Sequence, residues 1–277
     1  MSHPIFTSTA ELAVEQRGPV LWLTITREER RNAMSHGVLA AMAQAIHQAQ
    51  HLRTFAPSSS PAQAPKPFAP GLICSRRRPS PPTTPSRMAI WRNCCAQRAS
   101  TVPLIARVNG ACMAGGMGLM SMCDMAVAAS HAVFGLPEVK VGVFPAQVRA
   151  AAFDSPPLLA GDVLDRRAIT AAQALQVGLV NYVDDDVDAK LQWLLARLLD
   201  KSPAAIRRGL YTLKKVEAMA FEESMAFTES QIALFTLTED AQEGQKAFSG
   251  KTQTQLGRAL IPFPYQPDTL LLRLDVL

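Results

Sequence analysis

The sequence predicts an α/β fold closed by a helical C-terminal region, and three stretches predict it. Residues 102–108, VPLIARV, form an apolar strand-like run that turns at Asn109-Gly110 and reaches a glycine cluster, Gly115, Gly116 and Gly118, where a helix would start. Residues 12–26 alternate apolar with other side chains and precede a helical repeat over 35–50. Residues 188–248 carry a succession of helical repeats.

In chain order, Val14, Leu21, Leu23 and Ile25 mark one or two strands around the turn at Gly18-Pro19. Residues 26–34, TREERRNAM, are a charged loop leading into a helix. Val38, Leu39, Met42 and Ile46 then share one helical face over 35–50. After the glycine cluster, residues 119–129 are apolar and helix-length, with Asp124 as their only charge. A short segment ends in Phe134-Gly135-Leu136-Pro137-Glu138. Amphipathic helices follow over 188–200 and 203–218, the second opened by Ser202-Pro203, a helix-start pair. Residues 220–248 read as helical too.

Strand, glycine turn and helix start together aim free backbone N–H groups at a developing negative charge. Glu138 is an isolated acid among apolar neighbours, a setting that raises a carboxyl toward proton-transfer work. Its alternative reading is a structural ion pair with Lys140. Gly115 is likewise readable as a glycine required only for tight packing.

Composition narrows the function classes. The net charge of +5 and pI near 9.1 fit a surface excess or a polyanionic small ligand and do not by themselves indicate nucleic acid. Five cysteines with no C-x-x-C and no metal spacing suggest reduced thiols in a cytoplasmic setting. The polar N-terminus lacks a secretory apolar core, and no run reaches the ~18 apolar residues of a membrane span. The five histidines show no metal spacing, and His131, nearest the glycine cluster, reads as a surface or capping residue. Ser121 sits in G-L-M-S-M, which is no nucleophile elbow. Gly250-Lys251-Thr252 lacks the earlier glycine of a phosphate loop, since position 245 is Gln245.

The block 102–145 resembles the crotonase (enoyl-CoA hydratase/isomerase) family. The matched positions are Ala106, Asn109-Gly110, Ala114-Gly115-Gly116, Cys123-Asp124, Phe134-Gly135, Pro137-Glu138, Gly142 and Pro145. The resemblance continues through Ile169, Ala171, Ala174 and Gly178-Leu179-Val180, and through E-D-A-x-E-G-x-x-A-F ending at Phe248. It implies an α/β spiral core of ββα repeats over 1–200 and a C-terminal helical region over 201–248 that assembles as a homotrimer or dimer of trimers. It implies acyl-CoA thioester chemistry through an enolate, with no metal or redox cofactor, no nucleic acid and no membrane partner. Gly115 would give one of two N–H donors to the thioester oxygen, and Glu138 would move the proton. Gly116, Arg31 and Ala33 would contact substrate, with Arg27 and Arg30 as further candidates for the coenzyme A phosphates. Each arginine is equally readable as an ordinary surface residue. The family's other hydratase glutamate falls at Gly118, which keeps 3-enoyl to 2-enoyl isomerisation beside 2-enoyl-CoA hydration. Asp124 is expected to fix structure at a helix end.

Residues 54–88 break the pattern, being dense in proline and serine and carrying Arg76-Arg77-Arg78. A disordered linker, a basic arm and a long surface loop are ordinary readings, yet an α/β domain should place its next strand here. A shifted frame explains more. Back-translated with permitted third bases and read one nucleotide upstream, residues 56–74 give RAIVLTGAGPKAFCAGADL, a strand, a glycine turn and the family's C-A-G-A-D-L segment. The same shift turns residues 91–97 into LAELLRA. The other shifted frame turns residues 159–168 into LREMCLTGEP and residues 249–258 into VEKRKPNWAG, both family segments. Residues 54–97, 149–168 and 249–277 are thus expected to be out of the family's frame, which the coding DNA decides. The second N–H donor belongs to C-A-G-A-D, replaced here by Phe68-Ala69-Pro70-Gly71, and proline has no N–H. A non-catalytic acyl-CoA binder or a damaged product is therefore the competing reading.

Overall fold

Where the chain's apolar residues alternate in twos, it pairs; where they recur in threes and fours, it coils. The structure, a computed structural model, describes residues 6–51, 100–145, 168–252, 254 and 271–276. Strands β1 (Leu12–Arg17) and β2 (Val20–Ile25) form an antiparallel hairpin in which Gly18 takes a φ of 59°, a left-handed turn conformation. A single 3-10 turn (Glu28–Arg30) leads to helix α1 (His36–His51), whose first turn is capped by Ser35 Oγ accepting from Val38 N at 3.0 Å. Val38, Leu39, Met42 and Ile46 are all buried on its inner face.

Strand β3 (Leu104–Val108) is buried at all five positions. Strand β4 (Ala111–Met113), helix α2 (Gly115–Ser121), strand β5 (Met125–Ala129) and strand β6 (Val133–Gly135) follow in close succession. Strand β7 (Ile169–Thr170), helix α3 (Ala171–Gln176) and strand β8 (Tyr182–Asp184) complete the core, followed by helix α4 (Val187–Leu199). Helices α5 (Pro203–Val216), α6 (Phe221–Thr236) and α7 (Glu239–Gly250) form the C-terminal region, and strand β9 (Leu271–Val276) returns to the core. Among the described residues one sheet runs β1-β2-β9-β3-β5-β8 and a second runs β4-β6-β7. The main core lies on α1, α2 and the inner sheet faces; α4 covers the outer face over Val20, Ile105, Val127 and Ala129.

Two expectations change. The apolar run 119–129 is not one helix: α2 stops at Ser121, and Met125–Ala129 pairs in parallel with β3. Asp124 enforces the break, because its N–H donates to the Leu104 carbonyl and its Oδ2 accepts from Leu104 N, each at 2.8 Å. Residues 220–248 divide into α6 and α7 where Thr238 caps the second helix, accepting from Ala241 N at 3.2 Å. The shifted-frame segments within 52–99 and 146–167, and the candidate second donor at 68–71, lie outside the described residues. Of the tail at 249–277, the sequence reading assigned no element to 271–276, which the structure places inside the larger sheet.

Candidate active site

Parallel strands deliver their C-terminal ends to one edge, and β4 and β6 do this for two of the candidate residues. Their register pairs Ala111 with Val133, Cys112 with Phe134, and Met113 with Gly135. Beyond it, Ala114 N donates to the Gly135 carbonyl at 2.9 Å, joining the two segments where they leave the sheet. Gly115 is the next residue on one side, and Glu138 lies three residues past Gly135 on the other. Phe134, fully buried, anchors β6, and Cys112, also fully buried, anchors β4. Burial raises the Cys112 thiol, so it serves packing rather than nucleophilic chemistry.

Ala114 turns the chain into α2 with φ 51° and ψ −121°, a backbone state unusual for a residue with a Cβ. The first bond back into the turn is Gly118 N to the Ala114 carbonyl at 3.4 Å. Helix geometry leaves the N–H groups before it, those of Gly115 and Gly116 among them, without intrahelical acceptors. Gly115 is buried and Gly116 half-buried.

Glu138 opens a 3-10 turn (Pro137–Val141) that Gly142 closes at φ 74°, with Gly142 N on the Val139 carbonyl and Val143 N on the Glu138 carbonyl. The Glu138 side chain is half-buried, and its Oε2 is buried with no hydrogen-bond partner among the described residues. Burial raises its pKa, opposed by a smaller lowering from a backbone hydrogen bond. No ion pair joins it to Lys140, which is exposed, among the described residues.

The loop before α1 sorts the other candidates. Arg27 is committed to structure: its Nε lies 2.7 Å from Glu11 Oε1, and its guanidinium donates to the Ala33 carbonyl. Asn32 closes the loop, its Oδ1 accepting from Arg27 N at 2.6 Å. Ala33 is 3% exposed, its N–H donating to the Arg30 carbonyl at 3.0 Å and its carbonyl accepting from Arg27. Arg30 and Arg31 are exposed, Arg31 at φ 52°. Asp124 pairs with Lys214 Nζ at 2.7 Å, a residue the sequence reading did not single out. His131 is exposed and its Nε2 bonds the Asn109 carbonyl at 2.8 Å. Ser121 Oγ donates to the Met117 carbonyl at 2.8 Å within α2.

The comparisons decide what this arrangement belongs to. The family model described as enoyl-CoA hydratase/isomerase matches residues 15–258. The chain belongs to the enoyl-CoA hydratase/isomerase family. A 2,3-dehydroadipyl-CoA hydratase of Escherichia coli is 30% identical over 251 residues, covering 87% of this chain and 96% of the relative. The enoyl-CoA hydratase EchA19 of Mycobacterium tuberculosis is 30% identical over 262 residues, covering 88% and 95%. Among solved structures, an enoyl-CoA hydratase of Mycobacterium smegmatis superposes with a TM-score of 0.76 at 25% identity, covering 88% of this chain and 98% of its own. The crotonase fold expected from the motif is thereby the fold observed. Gly118, which the resemblance aligns with the hydratases' other glutamate, is buried in α2.

Proposed function

We infer that the protein hydrates a 2-enoyl-CoA, with the Gly115 N–H holding the thioester oxygen and Glu138 moving the proton. The observation that carries this is the exit of Gly115 and Glu138 from two paired parallel strands at one edge. A donor fixed before reaction stabilises negative charge on the thioester oxygen at no reorganisation cost. Burial keeps Glu138 in its neutral form to a higher pH than an ordinary carboxyl, so it holds a proton to give. In the addition, water oxygen bonds to C3, the Glu138 proton passes to C2, and the proton lost from the water restores the carboxyl. The hydratase names of the two curated relatives support the same reaction. Exposed Arg31, beside Arg30, supplies positive charge for the coenzyme A phosphates, and Gly116 lines the same helix start.

Gly118 favours a second reading, isomerisation of 3-enoyl to 2-enoyl-CoA, which needs one carboxyl to take a proton from C2 and return it to C4. Neither reaction calls on a metal or redox cofactor. Exposed apolar side chains on α5 and α6, among them Leu213 at 62%, Phe221 at 74% and Ile232 at 63%, support assembly into a homotrimer through the C-terminal helices. The test offers crotonyl-CoA and a 3-enoyl-CoA to the purified protein and identifies products. A 3-hydroxyacyl product supports the hydratase and a 2-enoyl product the isomerase. Acyl-CoA binding with no turnover of either overturns both, leaving a binder. Native mass spectrometry reads the assembly, and a monomer there contradicts the trimer.

A further inference from the structure

We propose that Glu11 is a positioning residue for the acyl-CoA ligand: through Arg27 it fixes the strained loop that carries Arg31. The proposal rests on the reading above that Arg31, beside Arg30, meets the coenzyme A phosphates. Glu11 itself lies just before β1, and it reaches the loop only through the fold.

The loop is costly to hold. Arg31 and Asn32 are successive residues with a Cβ, and both take left-handed backbone states, at φ 52° and 49°. Such a state relaxes unless neighbouring groups impose it. Asn32, 5% exposed, closes the loop on Arg27: its Oδ1 accepts from Arg27 N, and its own N–H donates to the Arg27 carbonyl at 2.7 Å. Past the strained pair, the Arg27 guanidinium donates to the Ala33 carbonyl. Arg27 thus grips the loop on both sides of Arg31. A guanidinium on a long, rotatable stem fixes a carbonyl only where it is fixed itself. Glu11 Oε1 does this, 2.7 Å from Arg27 Nε.

The carboxylate is placed in turn by its surroundings. Thr26 N donates to the Glu11 carbonyl at 3.0 Å. Ser35 Oγ, which caps α1, donates to Glu11 Oε2. Gly37, in the first turn of α1, leaves the space: a Cβ there would lie 2.7 Å from Glu11 Oε2, inside van der Waals contact. One carboxylate therefore joins the entry to β1, the loop and the start of α1. Without it Arg27 is released, the Ala33 carbonyl loses its donor, and Arg31 can leave its left-handed state. Ligand binding then weakens although no arginine has been lost.

The test measures binding of free coenzyme A to the full chain by calorimetry. It reads no turnover, so it does not depend on which reaction the enzyme runs. Glu11→Gln should weaken coenzyme A binding roughly 10-fold, and by no more than ~2-fold when Arg31→Ala is already present. A general loss of stability would not produce that non-additivity. Gly37→Ala is the second variant, and it keeps every charge. Alanine at an exposed helical position ordinarily strengthens the helix, so its Tm should not fall, yet its coenzyme A binding should weaken in the same Arg31-dependent way. Should Glu11→Gln fail to fold, Gly37→Ala with and without Arg31→Ala decides alone. Parent-like affinity in the folded variants, or equal losses with and without Arg31, overturns the proposal and leaves the phosphate reading standing. If Arg31→Ala binds coenzyme A as the parent does, the phosphate reading fails and the proposal fails with it.

Discussion

Glu138 leaves β6 through Pro137 with one carboxylate oxygen buried and unpartnered, and its burial favours the neutral acid. The consequence for stability has a definite sign. In the unfolded chain the carboxyl returns to its ordinary, lower pKa, so its contribution is intact below about 4.5 and is lost as pH rises through the folded value. Glu138→Gln cannot ionise. Its Tm should exceed the parent's at neutral pH and converge with it at about pH 4, as thermal melts across that range will show. Ala114 is the other residue whose local state matters, holding φ 51° before Gly115. Glycine adopts that conformation without strain. Ala114→Gly should stabilise the fold by about 1 kcal/mol in denaturant titrations, since the relieved strain exceeds the entropy cost. The sequence singled out Glu138 and Gly115 because both lie in a dense motif. It could not reveal the strain at Ala114, which depends on how β4 hands the chain to α2.

Elements are joined by polar groups at their ends. Asp124 ties the end of α2 to β3 and, through Lys214, ties α5 to both. Each side chain is 12% exposed, and Lys214 also donates to the Ser100 carbonyl at 2.8 Å. Asp124→Ala leaves the ammonium short of a partner in a mostly dry setting and should cost about 2–3 kcal/mol by chemical denaturation. Lys214→Met should cost less, because the Leu104 N–H still serves the carboxylate. Asp124 was legible as the lone charge in an apolar run, but the run itself read as one helix. Apolar periodicity cannot separate a buried helix from a buried strand over eleven residues. The break rests on a hydrogen-bonded exchange with Leu104, twenty positions away. Helix starts were easier: Ser202 accepts from Ala205 N at 3.0 Å with Pro203 in the first turn, as the pair of residues announces.

At the scale of the whole molecule, the sheet depends on residues that local sequence gives no reason to place there. Six residues, LLRLDV, have strand-like composition, yet nothing in them names a slot between β2 and β3. That information lies in the vacancy created by the chain order, which only topology exposes. Leu274→Pro removes a central N–H and leaves a neighbouring carbonyl unpaired, so the melt should show a loss of about 1–3 kcal/mol. The fold class and the 102–145 block were readable because their motifs are local. The register of β9, the Asp124–Lys214 link and the commitment of Arg27 to Glu11 were not, because each joins distant parts of the chain. The reaction we infer has Gly115 and Glu138 acting together on a thioester. The most direct test compares kcat for crotonyl-CoA in the parent and Glu138→Gln, with acyl-CoA affinity measured alongside. A fall of ~10²–10⁴-fold with affinity retained is the expected result. Equal turnover in the two proteins would contradict the assignment.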